Sequence, residues 1–448
     1  MPYNPFDKTI TETLTVDDLQ KLKTLKVAEG NFVEYKREFV GNRAIGHSIA
    51  SFANSYGGWY IVGIKAKDYV PTEVCGFSLG DYPDPIATVR DVARTHIDPV
   101  PLFFPRLVEL GEGTAALVVY VPAEQETPFI CKDGRIYRRT HDSSNPVPET
   151  SRHAIDRLVD AGRDVSRRFE QFCQDERALT KGEAGQGWAS IFISPYPLGA
   201  IDRWNLLSSK AIQDLLELSQ TTTPIYVENT KDFGTGNLPF NHAQSAFGSV
   251  IFRQVDPSRM AYRSLTTEFF FDGRVKLHIP LTYRLDLPKN DYTTLRSDEA
   301  RNALVQATST DHEGDLQLLT YVDIGELWVK VGLLVTYYLR WLGDDKLEGD
   351  FKFAVVLEDV WRSVPFLDLD EWGKHVQALG LPVVGCSTIN VPSDIGKGLR
   401  WSPDIPGAMW SALNTVIGNA LGLPYPLSSV QGQAQSFQQL SGAPPEDP

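Results

Sequence analysis

Residues 42–64, NRAIGHSIASFANSYGGWYIVGI, place a hard stop between two kinds of structure. Ile45, Ile49, Phe52 and Ala53 recur at the intervals of one helix face. The helical pattern ends at Asn54-Ser55-Tyr56-Gly57-Gly58, where glycine tolerates the positive backbone angles of a helix terminus. Trp59-Tyr60-Ile61-Val62-Gly63-Ile64 then reads as a buried strand of aromatic and β-branched residues. Just upstream, Glu29 and Glu34 stand five residues apart, and Tyr35, Lys36 and Arg37 follow the second. Acidic and basic side chains are thereby held against a rigid helix–turn–strand, an arrangement suited to a metal ion or a phosphate.

The coarse pattern predicts an α+β N-terminal domain. Thr15 caps a first helix whose early Asp17 and Asp18 suit the positive end of the helix dipole. Residues 32–39 read as a strand, with Phe32, Glu34 and Lys36 on one face and Val33, Tyr35 and Arg37 on the other. A helix is expected over 85–95, and a hairpin over 104–110 and 115–121 across Gly111-Glu112-Gly113. Residues 130–139, turning at Asp133-Gly134, are expected to close the sheet.

Order and spacing in this region resemble the Schlafen AlbA_2 family. Glu29, Val33, Glu34, Tyr35 and Lys36 match its opening pattern, and Phe52-Ala53-Asn54-Ser55-Tyr56-Gly57-Gly58 its helix end. Gly63-Ile64 closes the strand. Cys75-Gly76-Phe77, Asp98-Pro99, Val119-Tyr120-Val121-Pro122, Pro128 and Gly134-Arg135-Ile136-Tyr137-Arg138-Arg139 follow in family order. The resemblance covers about the first third of the sequence. It implies a nucleic-acid-binding module, met in transcriptional regulators and in defence proteins.

In the ribonuclease branch of that family, the matching glutamates and an acid after the glycine-ended strand form a metal-dependent site. The resemblance thus implies Glu29, Glu34 and Asp68 as ligands of Mg²⁺ or Mn²⁺ and as a catalytic cluster for structured RNA such as tRNA. Two converging carboxylates would also repel each other without a cation between them. The sequence departs from the pattern here, because Lys65, Ala66 and Lys67 precede Asp68. A plainer alternative pairs Glu34 with Lys36, Arg37 or another basic neighbour. Binding without cleavage is therefore the leading reading, and a metal-dependent endoribonuclease the alternative. Lys36, Arg37, Lys65, Lys67, Arg135, Arg138 and Arg139 are the expected phosphate contacts, with Tyr35, Tyr56, Trp59 and Tyr137 as aromatic candidates.

Composition narrows the remaining choices. Net charge is −14, but residues 1–170 hold 21 basic and 24 acidic side chains against 22 and 33 in the remainder. The acidity lies in the C-terminal part, which leaves room for a basic face on the first domain. The four cysteines, at 75, 131, 173 and 386, have no zinc-ligand spacing, so no zinc site is expected, although animal relatives carry one. No phosphate-cradling G-x-x-x-x-G-K-[ST] motif occurs, and no bound nucleotide is expected. No apolar run suits a membrane span, no leader pattern opens the sequence, and a cytoplasmic location is expected. A homo-oligomer is compatible with the sequence.

With 448 residues, the protein is expected to hold an AlbA_2-like domain over 1–150, a helical linker over 151–187 and a second α+β domain over 188–426. A Gln/Ser/Pro-rich tail over 427–448 reads as disordered. The second domain matches no recognised pattern.

Overall fold

The computed structural model describes residues 3–6, 13–123, 125–140, 143–174, 187–196, 209–221, 223–224, 235–236, 238, 240–254, 265–286, 318–342, 350–367, 370–380, 383–391 and 405–423. Residues 175–186 of the expected linker and the whole expected tail over 427–448 lie outside the described residues. The protein divides into two compact units, the first built on Met1–Gln174 and the second on most of the residues that follow. Both mix helices with sheets, so the fold is α+β.

In sequence order the first unit runs α1 (Val16–Thr24), β1 (Val33–Lys36), α2 (Asn42–Ala53), β2 (Gly58–Val62), β3 (Ile64–Lys67) and β4 (Val70–Val74). It continues through β5 (Phe77–Ser78), α3 (Pro85–His96), β6 (Ile97–Asp98), β7 (Phe104–Gly111) and β8 (Thr114–Val121). The last elements are β9 (Ile130–Cys131), β10 (Tyr137–Thr140), β11 (Ser143–Pro148) and α4 (Arg152–Gln174). The α1 terminus is fixed as its sequence suggests: the Asp18 carboxylate accepts from the Thr15 backbone N–H and from its hydroxyl, both at 2.8 Å.

β1 and β2 are parallel, with Glu34 opposite Tyr60, and α2 is the crossover between them. β2 pairs antiparallel with the 117–121 end of β8, and β7 pairs along the other edge of β8. β5 takes the remaining end of β8, at Ala115 and Thr114. The sheet is buried on both faces. Tyr60, Val62, Leu117, Val119 and Val121 meet Ile45, Ile49 and Phe52 of α2 and Val89 and Val92 of α3. Val33, Tyr35, Trp59, Ile61, Val118 and Tyr120 meet Leu19 and Leu22 of α1 together with Phe6. Each fully buried side chain of this size contributes about 1.5–3 kcal/mol.

Three expectations are corrected. The strand predicted over 32–39 is only Val33–Lys36, because the backbone must turn to enter α2 at Asn42. The strand predicted over 59–64 breaks at Gly63, whose φ of +101° redirects the backbone into a separate β3–β4 hairpin. Residues 130–139 do not close the main sheet: β9 pairs with β6 and β10 with β11, as two short ribbons.

In the second unit, the strand order among the described residues is His242–Ala246, Ser249–Arg253, Thr266–Phe270, Val275–Pro280, Trp188–Tyr196, Asp350–Glu358 and Thr388–Val391. The apolar helix Ile324–Leu342 meets the helix Ile405–Ala420, where Trp410 Nε1 donates to the Trp328 carbonyl at 2.9 Å.

Candidate nucleic-acid interface

The β1–α2–β2 crossover decides where Glu34 goes. Val33 and Tyr35 face α1, so period-two alternation sends Glu34 to the face covered by α2. Its side chain is 1% exposed and fully engaged. Oε1 accepts from Ser48 Oγ at 3.0 Å and pairs with Lys36 Nζ at 2.8 Å. Oε2 pairs with Arg139 Nη1 at 2.7 Å.

Arg139, expected at a phosphate surface, is instead wholly buried, with a side-chain exposure of 0%. Its second fork nitrogen donates to the Gly30 carbonyl at 2.6 Å, and the guanidinium lies 4.4 Å from the Phe52 ring centre. Its backbone N–H donates to Ser55 Oγ at 2.9 Å. Burial pulls the guanidinium below its ordinary pKa, while the Glu34 carboxylate pulls it back up. This cation fastens the β10 ribbon to β1 and α2.

Glu29 sits before the strand, beside the same cluster. Its Oε1 accepts the Tyr35 backbone N–H at 2.8 Å, and burial raises its pKa against the opposing effects of that hydrogen bond and of Lys36. Asp68 occupies the β3–β4 turn with Tyr69, both at positive φ (52° and 65°), and its side chain is exposed. The turn reaches Glu29 through backbone, with Glu29 N–H donating to the Tyr69 carbonyl at 2.7 Å. Among the described residues, no three His, Cys, Asp or Glu side chains are grouped to hold a metal ion. The donor set does not fit Mg²⁺ or Mn²⁺: each Glu34 oxygen is already neutralised by a cation of the protein, Lys36 or Arg139, and Asp68 stands exposed on a turn outside the cluster.

The other expected contacts separate into two groups. Arg37, Lys65, Lys67 and Arg135 are exposed. Arg37 pairs with Glu38 at 3.5 Å, with both side chains open to solvent. Lys65 and Lys67 alternate with Ile64 and Ala66, so both project from one face of β3. Lys36 and Arg138 are partly covered and paired, Arg138 Nη1 lying 2.7 Å from Glu149. Of the expected aromatics, Tyr35, Trp59 and Tyr137 are core, and only Tyr56 is open to solvent.

Several working residues were not singled out from the sequence. Ser48 is an ordinary position on the helix pattern until the fold sets it over Glu34. Asn54 clamps the loop before β10: its amide donates to the Phe129 carbonyl at 2.8 Å and the Tyr137 carbonyl at 3.2 Å, and accepts the Phe129 N–H at 2.8 Å. Its place between an apolar helix and Gly57-Gly58 was the available signal. Asp133, read as a turn residue, receives Arg43 at 2.8 Å and the Tyr137 hydroxyl at 2.7 Å, with His47 Nε2 at 3.5 Å. His47 and Tyr137 stack at 3.8 Å, and burial lowers the His47 pKa against the pull of Asp133.

The family model described as Schlafen, AlbA_2 matches residues 29–148. This segment is a Schlafen AlbA_2 domain. A nucleic-acid-related function accompanies that family. The matched range opens at Glu29 and ends on β11, so it encloses the Glu34–Arg139 cluster, the β3–β4 hairpin and the Asn54 clamp. Among solved structures, the DIP2311 protein from Corynebacterium diphtheriae is similar at 22% identity over 30% of this protein and 26% of that one, with a TM-score of 0.21. The match spans about a quarter of that protein's length. No curated protein matches the sequence. Among the described residues, no helix is long and apolar enough to cross a membrane.

Proposed function

We propose that the AlbA_2 domain binds RNA or DNA through its phosphates, without a metal-dependent cleavage step. The observation that carries this reading is the pair of exposed lysines on one face of β3, Lys65 and Lys67, with Arg37 exposed directly after β1, whose Lys36 carbonyl accepts the Gly63 N–H at the base of the hairpin. Cations on a two-stranded ribbon neutralise phosphates and release counterions without reading sequence. Arg135 adds a further exposed cation on the β9–β10 turn. Arg139 contributes indirectly, by fixing the ribbon that carries its neighbours. The state of Glu34 supports binding over hydrolysis, since both of its oxygens are already neutralised by cations of the protein, Lys36 and Arg139.

The test is the salt dependence of affinity for a fluorescein-labelled oligonucleotide. Affinity falls steeply with salt, and replacing Lys65 and Lys67 together by Ala lowers the slope of log K against log salt by about 2, roughly one per lost contact. An unchanged slope, or no binding at low salt, overturns the reading.

A further inference from the structure

Large aromatic side chains in this domain are mostly core, but one group gathers at a rim of the sheet. Tyr3 is 41% exposed and stacks on Phe32 with ring centres 5.2 Å apart and planes at 30°. Phe32, half-buried, meets Tyr56 at 6.2 Å, and Tyr56 is 55% exposed. The rings are held from below. The Trp59 indole N–H donates to the Tyr3 carbonyl at 3.0 Å, and Phe32 leads into β1, its carbonyl accepting the Trp59 N–H at 2.7 Å. Tyr56 stands in the turn after α2, where a Cβ at Gly57 would strike the backbone of Val121 and Ala123. Three rings are therefore anchored through the backbone beside β1, β2 and the turn after α2, with Tyr3 and Tyr56 open to solvent.

The same end of the domain carries the β3–β4 turn. Tyr69, 59% exposed, has its carbonyl on the Glu29 N–H, three residues before Phe32. Lys67 precedes that turn and Lys65 lies farther down the same strand. Two carboxylates, Glu29 and Asp68, also lie here. They disfavour phosphates at the rim itself and can accept hydrogen bonds from base amino groups. Aromatic faces beside acceptors, with lysines leading away, match a strand whose bases turn inward and whose phosphates follow the hairpin.

Resting on the nucleic-acid reading above, we propose that Tyr3, Phe32 and Tyr56 form a stacking shelf for unpaired bases, so that the preferred ligand is single-stranded nucleic acid. Duplex bases are stacked on one another and cannot use such a shelf, whereas every unpaired base has a face to offer.

The experiment measures fluorescence anisotropy of the full-length protein with labelled U12 RNA, dT12 DNA and a 12-base-pair duplex. The single strands bind more tightly than the duplex. Tyr56→Ala weakens single-strand binding by at least about fivefold, as loss of one stacked base requires. Duplex affinity stays unchanged in that variant, and Tyr56→Phe restores single-strand binding. Tyr56 is exposed, so thermal melting of the Ala variant should match the parent. The RNA and DNA arms tell which strand is preferred. Equal, salt-dependent binding of strand and duplex that ignores Tyr56→Ala overturns the shelf and leaves the phosphate-binding reading standing. Absence of binding to all three probes overturns both.

Discussion

Arg139 and Glu34 form a buried charge pair whose value lies in having both members. A buried ion pair gains little over apolar packing, but removal of one partner strands the other in a low-dielectric interior. Arg139→Ala should therefore destabilise the AlbA_2 domain by about 3–5 kcal/mol in denaturant unfolding. Arg139→Lys should recover little, because one ammonium cannot reach Glu34 Oε2 and the Gly30 carbonyl together as the fork does. Asp133 offers a titration test. Burial opposes its ionisation, but hydrogen bonds from Arg43, Tyr137 and the Arg135 N–H prevail and hold its pKa down to about 2. A carboxyl depressed in the folded state contributes stability above its unfolded pKa, about 3.9, and loses it as pH falls through the folded value. The difference in melting temperature between the parent and Asp133→Asn should stay constant above about pH 5 and narrow from about pH 4 toward 2.

At the scale of elements, Gly63 separates a core strand from a surface ribbon. With φ at +101°, a Cβ there would sit 3.0 Å from the Ala116 Cβ and 3.1 Å from the Gly76 Cα. Gly63 N–H also donates to the Lys36 carbonyl at 2.8 Å, which ties the hairpin base to the end of β1. Gly63→Ala should cost at least about 1 kcal/mol through backbone strain, seen as a lowered unfolding midpoint. It should also weaken nucleic-acid binding more than Gly41→Ala, at a site that is exposed, has ordinary φ and has open space for a Cβ, because the hairpin carries Lys65 and Lys67. An unaltered midpoint would show that the backbone passes this corner without the special angle.

For the molecule as a whole, both apolar clusters of the first unit are complete within residues Phe6 to Tyr137. The helix α4 belongs to the same unit and is docked on it: Thr127 Oγ donates to the Leu158 carbonyl, and Gly162 lies so close to the Thr127 carbonyl that a side chain would clash. A fragment of residues 1–174 should therefore unfold cooperatively by itself and keep most of the oligonucleotide affinity. Thermal melting and anisotropy check this. An insoluble fragment from a stable parent would mean that the first unit needs the rest of the protein.

The helix over 42–53, its glycine stop and the apolar strand after it were legible in the sequence because local periodicity and backbone freedom set them. So were the hairpin around Glu112 and the α+β class. The order of short motifs from Glu29 to Arg139 sufficed for the family. Alternation within the strand placed Glu34 opposite Val33 and Tyr35, but it could not say which face α2 would cover. Tertiary structure decided that, and with it the two distant partners of Glu34, Ser48 and Arg139, from 14 and 105 residues away, whereas its pairing with Lys36 was among the local alternatives. Arg138 and Arg139 look alike in sequence, yet one is partly exposed beside Glu149 and the other is sealed under Phe52. Burial and ion pairing are properties of contacts between distant segments, and no local pattern encodes which of two adjacent arginines will lose its water.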